Sequence, residues 1–255
     1  MHSGFGRNDR PLPGNTEIGS YKSIIFAGFI LLVTLIAVSS VLAKGGDLVT
    51  DENSGWRYIL RQPADTKSKA PLVLVLHGMG GEAKSMSVQW GTQPGMDKMY
   101  VLTPQAPRQG DTSTWQGDAD AGALLKLLDK VTRENNVDPR RIAVVGYSAG
   151  SFMAMRLARG NPDRFAACVV MGGAGGKYAG GSVAKVKFYL LAAELDGSFN
   201  AKKADDLASS LTGEGASVQV EVVPGADHAS LYAKNRGATD WLVTVLGAPK
   251  QPLKP

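Results

Sequence analysis

Residues 140–155 read RRIAVVGYSAGSFMAM, and the fold follows from how this stretch is parsed. Ile142 to Val145 run apolar without alternation, as a strand covered on both faces does. Ala149 to Arg159 then carry a helical pattern, closed by Gly160 and Pro162. Between them the chain must turn sharply, which needs residues without bulk on both sides of the bend, and Gly146 and Gly150 supply them. The tip of the bend is Ser148. A serine there is either a helix cap or a nucleophile held where the helix dipole and free amides favour negative charge.

Working outward, the same alternation recurs. PLVLVLHGMGG (71–81) is a buried strand ending in glycine, and YVLTPQAP (100–107) is another, stopped by prolines. GWRYILRQP (55–63) alternates as an edge strand ended by Pro63. From Asp118 to Asn136 the apolar residues Leu124, Leu125, Leu127, Leu128 and Val131 fall at helical spacing. AACVVMGG (166–173) and VKFYLLAAELD (186–196) are further buried strands, and SVQVEVVPG (217–225) alternates as a strand. Helices are expected over 201–211 and 230–246. Strands and helices taking turns predict an α/β fold, with a mostly parallel sheet covered by helices on both faces. Ligands of such sheets sit beyond the carboxyl ends of the strands, so the residues just after each strand carry the chemistry.

Composition excludes several alternatives. In 255 residues, 44% are apolar and 20% charged, as expected of a globular protein. The net charge of +5 comes from scattered lysines and arginines with no basic cluster interleaved with aromatics, which argues against nucleic-acid binding. The single cysteine, Cys168, cannot form an internal disulfide and reads as a small buried side chain, and no Cys/His spacing suggests zinc. No metal or organic cofactor is expected.

The first 43 residues differ from the rest. Ile24 to Ala43 holds about twenty residues without a charge, long enough to cross a bilayer core. Arg7, Arg10 and Lys22 precede it, against Lys44, Asp47 and Asp51 after it, a bias that places the N-terminus in the cytoplasm and the remainder outside. Val41-Leu42-Ala43 suits signal cleavage, so residues 1–43 are either a cleaved signal or a membrane anchor. Residues 44–255 then form the catalytic domain, exported to the periplasm or beyond.

A serine hydroxyl needs a base to attack near neutral pH. Of the three histidines, His2 precedes the apolar segment and His77 leads into Gly78, where it shapes a loop. His228, just beyond the last strand, remains. Asp196 follows a strand, 32 residues earlier, and is the acid expected to orient it. Glu194 still lies within the strand, Asp227 is too near His228 in sequence, and Asp118 and Asp120 suit a helix start. The glycine loop HGMGG (77–81) supplies an oxyanion site, with the amides of Met79 and Ala149 as donors. Trp115 and Tyr147 are candidates to line the substrate pocket.

The order Ser148, Asp196, His228 with HGMGG upstream resembles the α/β-hydrolase superfamily, from about Trp56 to Leu246. More narrowly, RYILRQPADTKSKAPLVLVLHGMGG (57–81) and VDPRRIAVVGYSAGSFMAMRLARGNPDRFAACVVMGG (137–173) resemble polyhydroxybutyrate depolymerase-like and feruloyl-esterase-like serine esterases. VLTPQAP (101–107) followed by Trp115 is similar to the phospholipase/carboxylesterase branch. The resemblance implies ester hydrolysis through an acyl-enzyme. Secreted depolymerase-like esterases often carry disulfides, and this chain has none; nor is any stretch long enough for a lid or a polymer-binding domain. A small or medium-sized ester is the expected substrate, and Gly172 to Lys185 reads equally as a mobile rim of the site or as a plain flexible connection. Acyl transfer, thioester or peptide cleavage, and a non-catalytic envelope protein are the rival readings of the same scaffold.

Overall fold

The computed structural model describes residues 46–173 and 180–247. The apolar run 24–43, both readings of residues 1–43, and residues 174–179 of the expected rim at 172–185 lie outside the described residues. Among the described residues, no helix is long and apolar enough to cross a membrane.

Strands β1 (Val49–Thr50), β2 (Arg57–Arg61), β3 (Ala70–Leu76) and β4 (Tyr100–Pro104) come first, with α1 (Ala83–Gly91) between β3 and β4. A small hairpin, β5 (Arg108–Gln109) and β6 (Thr112–Ser113), leads to α2 (Gly117–Glu134). Then follow β7 (Val137–Tyr147), α3 (Ala149–Gly160), β8 (Ala167–Met171), β9 (Lys187–Ala193), α4 (Ala201–Gly213), β10 (Ser217–Val223), α5 (His228–Leu231) and α6 (Arg236–Gly247). Eight strands form one sheet in the order β1-β2-β4-β3-β7-β8-β9-β10. From β4 to β10 every neighbour is parallel, whereas β1 and β2 run antiparallel at one edge.

The predicted α/β architecture is therefore the observed one, with three local differences. The 55–63 stretch is not the outermost strand, because β1 pairs beyond it. The expected helix 230–246 is two helices, α5 and α6, separated at Tyr232–Asn235. Helix α1 lay unread because its apolar residues show little helical bias, although Ala83, Met86 and Trp90 are buried. The central strands are covered on both sides by two apolar layers, one built on Leu72, Leu74, Val144 and Phe188, the other on Val73, Val75, Val145 and Leu191. That two-sided burial explains why these strands lack alternation. Cys168 is fully buried in β8, and burial pushes its thiol pKa up, as suits an inert packing residue.

Candidate active site

Strand β7 ends at Tyr147, and Ser148 forms the bend into α3 with φ 53° and ψ −118°. Among the described residues it is the only non-glycine with positive φ. Such a conformation costs on the order of 1–3 kcal/mol and persists only where the surroundings enforce it. Here they do. A Cβ added to Gly146 would lie 2.1 Å from the Gly150 carbonyl oxygen, and one on Gly150 would lie 2.3 Å from that of Leu76. The bend is closed by the Ser148 amide donating to Met171 O at 2.8 Å and the Ser151 hydroxyl donating to Ser148 O at 2.6 Å. Although Ser148 occupies the position before the first helical residue, its hydroxyl makes no capping hydrogen bond. It faces His228 instead.

The His228 Nε2 lies 3.0 Å from Ser148 Oγ, and its Nδ1 lies 2.7 Å from Asp196 Oδ2. A carboxylate oxygen accepts, so Nδ1 carries the proton and Nε2 presents its lone pair to the serine hydroxyl. Ser148, His228 and Asp196 come from the ends of β7, β10 and β9, which the parallel sheet aligns at one rim. His228 opens α5, whose cap is Asp227: the carboxylate accepts from the Ser230 amide at 2.8 Å, so Asp227 has its own structural task. Glu194 accepts from the Gly225 amide, and Asp120 accepts from the Gln116 amide at the start of α2. The rival acids are thus engaged away from His228.

Asp196 is 3% exposed. Burial pushes its carboxyl pKa up, but hydrogen bonds from the Ser198 hydroxyl, His228 and the Ser198 amide outweigh that and hold it below the usual carboxylate value. The Tyr147 ring stacks on the His228 imidazole with centroids 5.4 Å apart, and its hydroxyl donates to His228 O at 2.7 Å. Tyr147 therefore steadies the histidine loop from below. Burial raises the Tyr147 pKa, so it stays a neutral donor.

The loop after β3 is held on the other side. His77 is buried, and its Nδ1 donates to Gly78 O at 2.7 Å, while Nε2 accepts from the Ala106 amide at 3.0 Å and lies 3.1 Å from Gln105 Nε2. This wiring requires the neutral imidazole, and burial lowers its pKa accordingly. Trp115 Nε1 donates to His77 O at 2.7 Å, and the Ser113 hydroxyl donates to Gly81 O at 3.1 Å. The loop passes close to the serine, since a Cβ on Gly78 would lie 3.2 Å from Ser148 Cβ. Ala149 is the first residue of α3, so its amide has no intrahelical acceptor. The Met79 amide makes no hydrogen bond to backbone among the described residues.

Beside the loop opens a cavity of about 420 Å³, lined by His77 to Glu82, Ser85, Met86, Tyr147 and Tyr232. Tyr147, one of the two pocket candidates, lines it. Trp115 does not: its indole is spent on His77 O and on stacking with Trp56 at 6.2 Å. Sequence reasoning also missed Tyr232, Gln105 and Ser198, since polar residues in turns carry no periodic signal.

Comparison with known proteins gives the chain's relatives. Poly(3-hydroxyalkanoate) depolymerase C of Paucimonas lemoignei is 31% identical over 170 residues, 62% of this chain and 40% of that protein. Feruloyl esterase B of Thermothelomyces thermophilus is 26% identical over 179 residues, 64% of this chain and 59% of that one. The chain thus spans less than two thirds of the length of these relatives. The Bacillus cereus carboxylesterase structure superposes with a TM-score of 0.61 at 18% identity, covering 76% of this chain and 96% of its own, a likeness of fold. Residues 100–241, more than half of the sequence, match the family model, and the chain belongs to the dienelactone hydrolase family.

Proposed function

We propose that this protein is a serine hydrolase of carboxylic esters. Ser148 attacks the ester carbonyl as His228 Nε2 takes its proton, and Asp196 holds the imidazole and stabilises its charged form. The amides of Met79 and Ala149 receive the developing oxyanion. His228 then returns the proton to the leaving alcohol, and water, activated by the same imidazole, releases the acid from the acyl-enzyme. The observation that carries this reading is the unbroken chain from Ser148 Oγ through His228 to Asp196, at 3.0 and 2.7 Å. That relatives are named as esterases, feruloyl esterase B among them, supports it. The 420 Å³ cavity suits a small or medium-sized ester. The reaction as written needs no metal or organic cofactor.

Export belongs to the same proposal. The uncharged run Ile24 to Ala43 with basic residues before it supports a domain delivered outside the cytoplasm, tethered if the segment is kept. Cell fractionation with N-terminal sequencing of the recovered protein tests it; full-length protein in the cytosol contradicts it. Hydrolysis is tested by giving the full chain p-nitrophenyl acetate and butyrate beside Ser148→Ala. Turnover lost in the variant, with an unchanged circular-dichroism spectrum, is the expected result. Equal turnover in both proteins, or none in either, contradicts the reading.

A further inference from the structure

Asp196 is held by more than His228. Its Oδ1 accepts from the Ser198 amide at 2.7 Å and from the Ser198 hydroxyl at 2.5 Å. The same hydroxyl oxygen lies 3.3 Å from His228 Nδ1. Ser198 Oγ has one proton and two lone pairs, and the carboxylate can only accept, so the proton goes to Oδ1 and a lone pair faces Nδ1–H. The imidazole N–H thus sits in a fork, with Asp196 Oδ2 at 2.7 Å as its main acceptor and Ser198 Oγ as its lesser one.

We propose that Ser198 is a positioning residue of the reaction, locking the Asp196 carboxylate and the Nδ1–H form of His228 so that Nε2 stays on Ser148. This rests on the esterase reading above. The terminal torsion of an aspartate is broad and roughly two-fold, so one bond to an imidazole does not fix the carboxylate plane. Two donors on Oδ1 do. The turn that presents them is pinned independently, because Lys203 Nζ donates to Gly197 O at 2.6 Å. The hydroxyl is therefore not required to shape the turn.

The charged and titratable groups around the pair are few. Tyr147 stacks on the imidazole, Tyr232 packs against Tyr147, Asp227 precedes His228, Glu194 is bonded to the Gly225 amide, and Lys203 is bonded to Gly197 O. None reaches Asp196 Oδ1 as Ser198 does.

The test is Ser198→Ala in the full chain, with Ser198→Thr and Ser148→Ala beside it, assayed on p-nitrophenyl butyrate across pH. Loss of a hydrogen bond to a charged group predicts a fall in kcat of about tenfold with KM unchanged. An aspartate freed of one donor accepts more strongly from Nδ1–H. The acid limb of kcat/KM therefore moves to higher pH, by about half a unit. The acceptor lost at Nδ1 is the longer contact and does not reverse the sign. Ser198→Thr, which keeps the hydroxyl, restores both quantities. Should alanine prevent folding, Ser198→Cys keeps the volume with a weaker donor and reads the same two quantities. Wild-type kcat and an unmoved limb in folded Ser198→Ala, with Ser148→Ala inactive, overturn this inference alone. Turnover persisting in Ser148→Ala overturns it together with the esterase reading.

Discussion

At the scale of single residues, the sequence disclosed the three side chains that meet at the rim better than what surrounds them. Ser148 was legible because glycines fence it between a strand and a helix, and His228 because only three histidines exist. Asp196 followed from its place after a strand. Ser198 and Tyr232 were invisible, since a hydroxyl in a turn looks alike whether it binds water or a carboxylate. Trp115 is ambiguous for a similar reason: an indole near a strand end can line a pocket or donate to a carbonyl, and the structure places its Nε1 on His77 O. Two predictions belong here. Asp196→Asn should lower kcat by about 10³–10⁴-fold with little change in KM, because the amide no longer selects the Nδ1–H form; steady-state kinetics on a short ester measure it. His77 should make stability depend on pH. Its folded-state pKa is depressed below 6.5, so the unfolded chain binds a proton first as pH falls. The contribution is complete above pH 6.5 and shrinks below it, ahead of that from Asp196, which is depressed from 3.8 and acts only in stronger acid. Urea midpoints measured from pH 7.5 to 5 should fall in the wild type and fall less in His77→Gln.

At the scale of elements, the strand-to-helix bend is the costly one. Gly146 and Gly150 are there because backbone occupies the space a Cβ would need. Gly146→Ala should destabilise the fold by about 3 kcal/mol or more, read from urea unfolding, since the obstructing atoms belong to α3 itself. Gly122 offers the opposite case. It is exposed within α2, where a Cβ meets nothing within 4 Å, so Gly122→Ala should stabilise by about 0.5–1 kcal/mol. Helices α2, α3 and α4 were readable from apolar spacing. The break between α5 and α6 was not, because the Asp227–Ser230 capping box needs only a few polar atoms to start a short helix.

At the scale of the molecule, the order of the strands is what unites distant residues. Leaving β3, β7, β9 and β10 at one rim brings Ser148 within 3.0 Å of a histidine 80 residues later. The continuous apolar strands disclosed a parallel sheet buried on both faces. Nothing in them disclosed that β4 lies between β2 and β3, or that β1 and β2 run antiparallel, because pairing partners depend on connections rather than on pattern. Phe188 in β9 is wholly buried in the layer facing α2 and α3. Phe188→Ala should cost about 3–5 kcal/mol in chemical unfolding, as loss of a large core side chain does.

Whether Ser148 is an activated nucleophile can be read directly, without choosing a substrate. The full chain is treated with a fluorophosphonate and its peptides are mapped by mass spectrometry, in parallel with His228→Ala. One adduct per chain on Ser148, formed much more slowly in the variant, is the predicted result. A folded protein that takes up no label, or takes it up at another residue, would contradict the account.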